Sequence, residues 1–333
     1  MHNSPVLVTG GAGYIGSHAV LALQDAGRDV VVLDNLSTGT AQAIPHSVPL
    51  ERGDIADPDT VRAVLRKHGI DSVLHFAGSI RVEESVAEPL KYYHNNTAAS
   101  RTLIETCIGE GVRRFVFSST AAVYGIPQTD TVTEESPVRP INPYGWSKLM
   151  TEQMLRDAVS ARPEMQVAIL RYFNVAGADP DRRAGQRSEN ATHLIKVASE
   201  VATGKRAGMQ IFGTDYDTPD GTCVRDFIHV LDLAECHLAV LDWMAGRSGI
   251  TCFNCGYGRG YSVRDIIAGI ERAHGKPLSV QEAPRRAGDP PRLIADPTRL
   301  TREVGWRPRL DQIDTILATA LAWERQLGET AAV

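Results

Sequence analysis

A glycine-rich segment at residues 10–16 constrains the fold of this chain more than any other feature. It follows a short apolar run at residues 6–8 and precedes an amphipathic stretch that reaches residue 26. Gly10, Gly13 and Gly16 lack the side chains that would keep the backbone away from a pyrophosphate, and the N-terminus of a following helix would face the phosphate charge. The segment therefore predicts a strand, a tight turn and a helix that together bind a dinucleotide.

Short apolar runs alternate with amphipathic stretches through the first half of the chain, at residues 6–8, 30–33, 73–76, 115–117 and 167–170. Short strands separated by helices are typical of a parallel sheet covered on both faces, and the right-handed crossover rule favours a doubly wound (Rossmann) α/β fold. After about Asn174 short strands mix with helical stretches at residues 191–203, 231–244, 263–274 and 310–327. We expect a dinucleotide-binding Rossmann domain over residues 1–174 and a smaller C-terminal α/β substrate-binding lobe over residues 175–329, with chain crossovers between them.

The composition argues against several classes of protein. The 333 residues carry a net charge of −5 and show no basic stripe, which argues against a nucleic-acid partner. No apolar run is long enough to cross a membrane, and the N-terminus lacks a secretory pattern. Five cysteines, an odd number, fit a reducing compartment. We expect a cytoplasmic protein with no metal site, in which Cys252 and Cys255 are structural rather than redox-active or metal-binding.

An acidic residue follows the second apolar run at the position where a ribose is recognised. Asp34 lies about 20 residues beyond the glycines, and its carboxylate can accept hydrogen bonds from both ribose hydroxyls. It would repel a 2′-phosphate, so the expected cofactor is NAD rather than NADP; the competing interpretation is a surface aspartate. For Asp54 two interpretations stay open: an acceptor for the adenine amino group, or a cap of the helix near Pro58.

A Y-x-x-x-K pattern supplies the candidate catalytic residues. Tyr144 and Lys148 are four residues apart and so share one face of a helix, which Asn142 is expected to cap. Lys148, the positive helix end and the positive charge of a bound nicotinamide are expected to lower the pKa of Tyr144 from about 10, so that its phenolate acts as a general base. Thr120 ends the strand at residues 115–117 and can share the substrate proton. An exposed helix pair beside a Ser/Thr turn is the alternative.

Taken together, these motifs resemble the extended short-chain dehydrogenase/reductase family, and the resemblance covers nearly the whole chain. The matching segments are residues 8–18, 33–37, 75–78, 92–97, 117–125, 143–148, 170–174 and 220–230. The last two are more specific than the glycine-rich segment. The resemblance implies an NAD-dependent isomerase that interconverts UDP-galactose and UDP-glucose by transient oxidation at carbon 4, with Tyr144, Lys148 and Thr120 as catalytic residues.

The resemblance also implies which residues bind each ligand. The cofactor site would comprise Gly10, Gly13, Tyr14, Ile15, Gly16, Asp34, Asn35, Ser37, Thr38, Gly39, Asp54, Ile55, Phe76, Ala77, Gly78, Ile80, Asn95, Tyr144, Lys148 and Phe173. The UDP-sugar site would comprise Thr120, Asn174, His193, Leu194, Gln210, Ile211, Phe212, Arg225, Arg286, Asp289 and Leu293. Without the resemblance, we would interpret Arg225 and Arg286 as surface ion-pair residues. A homodimer is implied, formed through helices near residues 90–110 and 148–161.

Three positions depart from the family pattern. Ile80 stands near the position where many relatives carry a lysine that contacts the cofactor, and Arg81 is a possible replacement. His193 stands where many relatives carry asparagine, as a substituted ligand or as a plain helix-face residue. Leu293 stands where some relatives carry a bulky aromatic residue, and we therefore expect slow turnover of N-acetylated UDP-hexosamines.

Other activities compete with this interpretation. A 4,6-dehydratase of the same family would need an acid and a base directly after Thr120, where this chain has Ala121 and Ala122. An epimerase for another nucleotide sugar stays open, because hexose recognition relies on few side chains. A non-catalytic dinucleotide sensor is a third alternative, although such a protein should have lost Tyr144 or Lys148.

Overall fold

The computed structural model describes residues 4–188, 191–286 and 288–331, and its largest feature is a sheet of seven parallel strands in the order β11-β7-β5-β4-β1-β2-β3. Its strands are β1 (Val6–Thr9), β2 (Val30–Asp34), β3 (Leu50–Arg52), β4 (Ser72–His75), β5 (Arg114–Thr120), β7 (Gln166–Tyr172) and β11 (Gly249–Cys255). The order reverses between β1 and β4, which opens a crevice at the carboxyl edge. The doubly wound sheet predicted from the apolar runs is confirmed.

Helices cover both faces of this sheet. The helices of the two lobes together are α1 (Tyr14–Asp25), α2 (Pro58–His68), α3 (Val82–Ala87), α4 (Pro89–Tyr92), α5 (Ala99–Gly109), α6 (Pro143–Ala161), α7 (Leu194–Ala202), α8 (Val230–Trp243), α9 (Val263–His274), α10 (Thr298–Val304) and α11 (Ile313–Ala331). Residues of α1 and α8 build the apolar core on one face, and residues of α2, α5 and α6 build the core on the other. A π-helical turn, Tyr93–Ala98, joins α4 to α5, and 3₁₀ turns occur at Ala41–Ala43 and Ala121–Tyr124.

Smaller sheets form the second lobe. Strands β12 (Gly260–Ser262), β10 (Val224–His229), β14 (Arg292–Ala295) and β6 (Thr131–Val132) pair in that order, β8 (Asn174–Ala176) pairs with β10, and β13 (Val280–Ala283) pairs with β9 (Met209–Phe212). Helices α7, α9 and α11 contribute to an apolar core of their own. Strand β6 comes from the first half of the chain, whereas β11 returns from the second half to the large sheet. The chain therefore crosses between the two lobes more than once.

Local capping signals fix several helix ends. Ser262 and Asp265 form a reciprocal capping box at the start of α9, and Gly275 ends that helix in the left-handed conformation. The predicted helix at residues 263–274 therefore agrees with the structure. The helix predicted at residues 191–203 begins later, at Leu194, because His193 has an extended backbone.

The five cysteines are free and buried. Cys252 and Cys255 lie three residues apart on β11, so their side chains point to opposite faces of the sheet and into different cores. They cannot share a metal ion or a disulfide, and the structural interpretation of the C-x-x-C is confirmed. Within the described residues, no cluster of three His, Cys, Asp or Glu side chains is arranged to hold a metal ion, and no helix there is long and apolar enough to cross a membrane.

Candidate active site

The glycine-rich segment brings three backbone segments into contact at the carboxyl end of β1. A Cβ on Gly10 would lie 2.5 Å from the backbone nitrogen of Ala77, and one on Gly16 would lie 2.2 Å from the carbonyl oxygen of Gly10. Gly13 is the N-cap of α1 and offers no side-chain cap, so the first N–H groups of the helix can serve an anion. Glycine is required at positions 10 and 16, and the glycine-rich cradle formed by residues 10–16 suits a pyrophosphate.

The first turn of α1 connects this cradle to the second lobe. The hydroxyl of Tyr14 donates a 2.6 Å hydrogen bond to the carbonyl of Gly177, which follows β8. Ile15 packs against the apolar core below the helix. Tyr14 and Ile15, both predicted for the cofactor site, therefore lie beside the glycine-rich segment. The hydrogen bond of Tyr14 connects that segment to the second lobe.

Asp34 is held rigidly at the end of β2. Its Oδ2 accepts a 2.9 Å hydrogen bond from the backbone of Ala12, inside the glycine-rich segment, and its Oδ1 accepts a 2.8 Å bond from the backbone of Leu36. Only 8% of Asp34 is exposed, so its interpretation as a surface aspartate is wrong. Each carboxylate oxygen keeps acceptor capacity for a ribose hydroxyl, and its charge disfavours a 2′-phosphate.

Asn35, the neighbour of Asp34 in the chain, is hydrogen-bonded to Asp54. Asn35 donates a 2.9 Å hydrogen bond to Asp54, whose other oxygen accepts from the backbone of Ala56 at 2.8 Å. The cap of α2 is Asp57, which accepts from the backbone of Asp59. The helix-cap interpretation of Asp54 is therefore wrong, and its contact with adenine stays a prediction.

The remaining residues predicted near the adenosine end lie close to the glycine-rich segment. Ser37 donates its backbone N–H to the side chain of Asn35, and Ile55 is 7% exposed beside α2. A Cβ on Gly39 would lie 2.7 Å from the backbone of Ala12, so the chain after Thr38 runs directly over the cradle. These positions form one wall next to Asp34.

The segment after β4, which carries Phe76, Ala77, Gly78 and Ile80, is fastened by two amide side chains. Asn96 accepts a 2.7 Å hydrogen bond from the backbone of Ser79 and donates 2.9 and 3.0 Å bonds to the Ser79 carbonyl and the Ser147 hydroxyl. Asn95 donates a 2.9 Å bond to the Ser79 hydroxyl. Asn95 is a predicted cofactor residue, whereas Asn96, which belongs to the same sequence motif, was not among the predicted site residues.

The candidate catalytic residues meet where β5 ends and α6 begins. Asn142 caps α6 through a 2.8 Å hydrogen bond from the backbone of Gly145, as predicted. Lys148 is 5% exposed and donates a 3.1 Å hydrogen bond to the carbonyl of Ser118. Thr120 accepts a 3.1 Å bond from the backbone of Ala122, which leaves its own proton for Tyr144. The structure thus brings all three predicted catalytic side chains together.

Burial governs the protonation of this pair. It lowers the pKa of Lys148 to about 8 and raises the pKa of the Tyr144 phenol, while the hydrogen bond with Thr120 acts on Tyr144 in the opposite direction. The lowering of the Tyr144 pKa in the presence of a bound nicotinamide stays a prediction, and burial of the phenol acts against it.

A buried hydrogen-bond chain lies behind these residues. Nδ1 of His237 faces the Leu233 carbonyl at 2.8 Å and must donate to it, so Nε2 accepts from the hydroxyl of Tyr172. Tyr172 in turn pairs with the Ser118 hydroxyl at 2.6 Å. Phe76, from the predicted cofactor site, packs against His237 with ring centroids 4.7 Å apart. Tyr172 and His237 were not among the predicted site residues, because only the fold brings α8 behind β5 and β7.

Three of the predicted substrate residues form one charged cluster. Asp289 lies 3.6 Å from Arg225 and 3.4 Å from Arg286. The guanidinium of Arg286 lies 4.4 Å from the ring centroid of Phe212 and also pairs with Glu83 at 2.8 Å. Guanidinium groups suit a diphosphate because they offer forked donors. Glu83 was not singled out in the sequence.

Leu293 lies close to the catalytic strand end. It is 9% exposed and belongs to an apolar cluster with Phe173, Val123 and Tyr124. Val123 and Tyr124 follow Thr120 in the chain. The predicted cofactor residue Phe173 and the predicted substrate residue Leu293 therefore pack in one cluster with the segment after Thr120.

Other predicted substrate residues lie around α7 and β9. Asn174, His193 and Leu194 line a cavity of about 40 Å³ next to α7. On β9, Gln210 is exposed, whereas Ile211 is 3% exposed and points into the core of the second lobe. A ligand could therefore reach Ile211 only through its backbone.

Comparisons with known proteins agree with this geometry. Residues 6–256 match the model of the NAD dependent epimerase/dehydratase family. A UDP-glucose 4-epimerase of Azospirillum brasilense is 54% identical over 98% of this chain and 93% of its own length.

Two solved structures extend the comparison. The UDP-glucose 4-epimerase of Bifidobacterium longum in complex with NAD+ and UDP is 39% identical, with a TM-score of 0.92 over 97% of this chain and 98% of its own. The UDP-Glc/GlcNAc 4-epimerase of Campylobacter jejuni is 49% identical, with a TM-score of 0.86 over 97% of this chain and 100% of its own.

Proposed function

The chain belongs to the NAD-dependent epimerase/dehydratase family, and we propose that it interconverts UDP-galactose and UDP-glucose by inverting carbon 4 of the hexose. It is an isomerase whose cofactor is NAD. One observation carries the proposal: buried Tyr144 and Lys148 lie one turn apart on α6, and Lys148 is bonded to the end of β5 beside Thr120, at the carboxyl edge that also carries the glycine-rich segment.

The residues at this edge fit NAD. The cradle at Gly10, Gly13 and Gly16 leaves room for a pyrophosphate, and Asp34 has acceptors placed for a ribose diol. When bound, NAD takes up a hydride from carbon 4 of the sugar and returns it in the same turnover. Because the cofactor ends each turnover in its starting form, the protein has reason to hold it permanently.

Tyr144 moves the proton in this reaction. Its phenolate takes the proton of the 4-hydroxyl as carbon 4 is oxidised, and the phenol gives it back after the hexose has turned over. Thr120 donates a hydrogen bond that favours the phenolate, and the ammonium of Lys148 adds positive charge nearby. The positive charge of bound NAD would supply further stabilisation to offset the burial of the phenol.

Inversion requires that the nucleotide stay bound while the hexose rotates. Arg225 and Arg286 suit the diphosphate, and Asp289 between them suits the uridine ribose. Leu293, the predicted hexose contact, lies in a cluster of apolar side chains, and such side chains restrain a rotating sugar less than hydrogen bonds would. The reaction needs firm binding of the UDP group and loose binding of the hexose.

The test uses purified protein and UDP-galactose with no added NAD. We expect UDP-glucose to form, because cofactor bound during expression is retained. Formation of a 4-keto-6-deoxy sugar instead would identify a dehydratase, although Ala121 and Ala122 stand where that reaction needs an acid and a base. No product from this substrate, together with turnover of another UDP-sugar, would contradict the proposed substrate pair.

We also propose that N-acetylated UDP-hexosamines are epimerised slowly. Leu293 is smaller than an aromatic side chain and lies in the wall beside the catalytic segment. The similar protein of Campylobacter jejuni is named a UDP-Glc/GlcNAc 4-epimerase, so this fold accommodates the acetamido group.

A homodimer is the assembly we propose. Large apolar side chains are exposed on neighbouring helices: Leu90 at 78% on α4, Val86 at 63% on α3, and Trp146 and Met150 at 42% and 41% on α6. A second copy would cover this surface. Light scattering should give twice the chain mass, and a monomer at micromolar concentration would contradict the proposal. The free, buried cysteines support the cytoplasm as its compartment.

A further inference from the structure

Arg286, the side chain we assign to the diphosphate, is already engaged by protein groups. Its guanidinium donates a 2.8 Å hydrogen bond to Glu83, lies 3.4 Å from Asp289 and stands 4.4 Å above the ring of Phe212. Glu83 faces Nη1 and Asp289 faces Nε, so a diphosphate that binds Arg286 through two parallel donors meets one of these carboxylates.

Glu83 reaches Arg286 from a distant part of the chain. It lies in the first turn of α3, directly after the segment with Phe76 and Ile80, and 203 positions before Arg286. Arg286 follows β13 in the second lobe. The ion pair thus bridges the cofactor side and the nucleotide side of the crevice.

The charges around the expected diphosphate position cancel. Arg225 and Arg286 carry two positive charges, and Asp289 and Glu83 carry two negative ones. A diphosphate is favoured by a positive environment and is repelled by a carboxylate that shares its guanidinium. Removal of the charge of Glu83 would leave the cluster with one net positive charge.

We propose that Glu83 competes with the diphosphate of the UDP-sugar for Arg286 and so sets the affinity of the enzyme for its nucleotide. This inference rests on the function proposed above. In the free protein Glu83 holds the guanidinium over Phe212, and the arriving diphosphate displaces the carboxylate into water.

Glu83 is better suited to this exchange than Asp289. Its side chain is 54% exposed and is held by Arg286 alone among the contacts described, whereas Asp289 is 32% exposed and lies between two arginines. A solvent-screened ion pair is weak, so displacement of Glu83 costs little and the expected effect on affinity is modest.

The experiment is a calorimetric titration of NAD-loaded protein with UDP. For Glu83→Gln we expect the Kd to fall about two- to fivefold, the range for an exposed ion pair, and the KM for UDP-galactose to fall by a similar factor. Glu88→Gln is the matched control: it removes the same charge just after α3, where Glu88 is 59% exposed and lies 3.9 Å from Lys91. In an Arg286→Gln background, Glu83→Gln should change nothing further.

The outcomes separate this inference from the proposed function. An unchanged or weaker affinity of Glu83→Gln overturns the competition, and so does an equal gain with Glu88→Gln, which would indicate a general charge effect. A gain that persists in the Arg286→Gln background also overturns it. Failure of the unaltered protein to bind UDP would instead refute the proposed function itself.

Discussion

The ammonium of Lys148 donates a 3.1 Å hydrogen bond to the backbone carbonyl of Ser118. This contact fixes α6 to the end of β5, two residues before Thr120. Tyr144 lies one helical turn before Lys148 on the same face, so its position over the strand end follows from that contact. The catalytic arrangement is therefore a property of how one helix is seated on one strand.

Replacement of Tyr144 by phenylalanine should lower kcat by about 10²- to 10⁴-fold, the usual contribution of a positioned acid or base. The ring should keep its edge-to-face contact with Tyr92, at a centroid distance of 6.4 Å, so the fold should persist. The measurement is turnover of UDP-galactose, with bound NAD and circular dichroism as controls. Activity within twofold of the unaltered enzyme would refute the assignment of Tyr144 as the base.

Replacement of Asp34 by alanine should weaken NAD binding about 10- to 100-fold, because charge-assisted hydrogen bonds to the ribose are lost. The amount of NAD released from acid-denatured, purified protein measures the effect. Asp57→Ala is the matched control, since it removes only the cap of α2. Equal NAD content in all three proteins would show that Asp34 does not hold the ribose.

Replacement of Leu293 by tyrosine should reduce turnover of UDP-N-acetylgalactosamine by roughly tenfold or more, a typical discrimination by pocket size. Leu293 is 9% exposed and packs with Phe173 and Tyr124, so a larger side chain there would take space beside the catalytic segment. UDP-galactose turnover should change much less. Leu293→Met, which conserves volume, should leave both rates nearly unchanged. No activity of the unaltered enzyme on the N-acetylated substrate would refute the broader specificity.

Acid should destabilise this protein through its buried histidines. Burial lowers the pKa of His18 and His237 to about 4 and that of His75 and His229 to about 3. Below pH about 6.5 these histidines are protonated in the unfolded chain but stay neutral in the native protein. The free energy of unfolding is therefore highest above that pH and decreases as the pH falls. Four such protons give a slope of about 5 kcal/mol per pH unit between pH about 6 and about 5.

Urea unfolding at these two pH values measures that slope. His237→Gln should reduce it by roughly a quarter, because one of the four protons no longer contributes. Its absolute stability is expected to fall as well, since Tyr172 loses its acceptor, but the slope is the informative quantity. An unchanged slope would show that His237 does not titrate on unfolding.

The local structure of the proposed cofactor site could be predicted because its signals are local. The strand, glycines and helix at residues 6–25 are contiguous, and Asn142, Pro143 and Tyr144 are neighbours in the chain. Capping and helical spacing act over a few residues, so a sequence displays them directly. The side chain of Asp34 was also placed correctly, because the length of the first βα unit fixes its distance from the glycines.

Other parts of the site depend on contacts between distant residues. Asn96 and His237 were missed, and the opposing effect of burial on the pKa of Tyr144 was not foreseen, because burial is a result of packing. The pairing of β11 with β7 likewise brings a strand from the second half of the chain into the first sheet.

The sequence by itself determined the doubly wound fold, the cradle at Gly10 to Gly16 and the placement of Tyr144 and Lys148 on one helix face, since these follow from short-range geometry. Only the tertiary structure decided that Glu83 meets Arg286 across the crevice and that His237 closes a hydrogen-bond chain to Ser118. Such contacts join residues tens to hundreds of positions apart, and no local pattern of charge or hydropathy specifies which of them will touch.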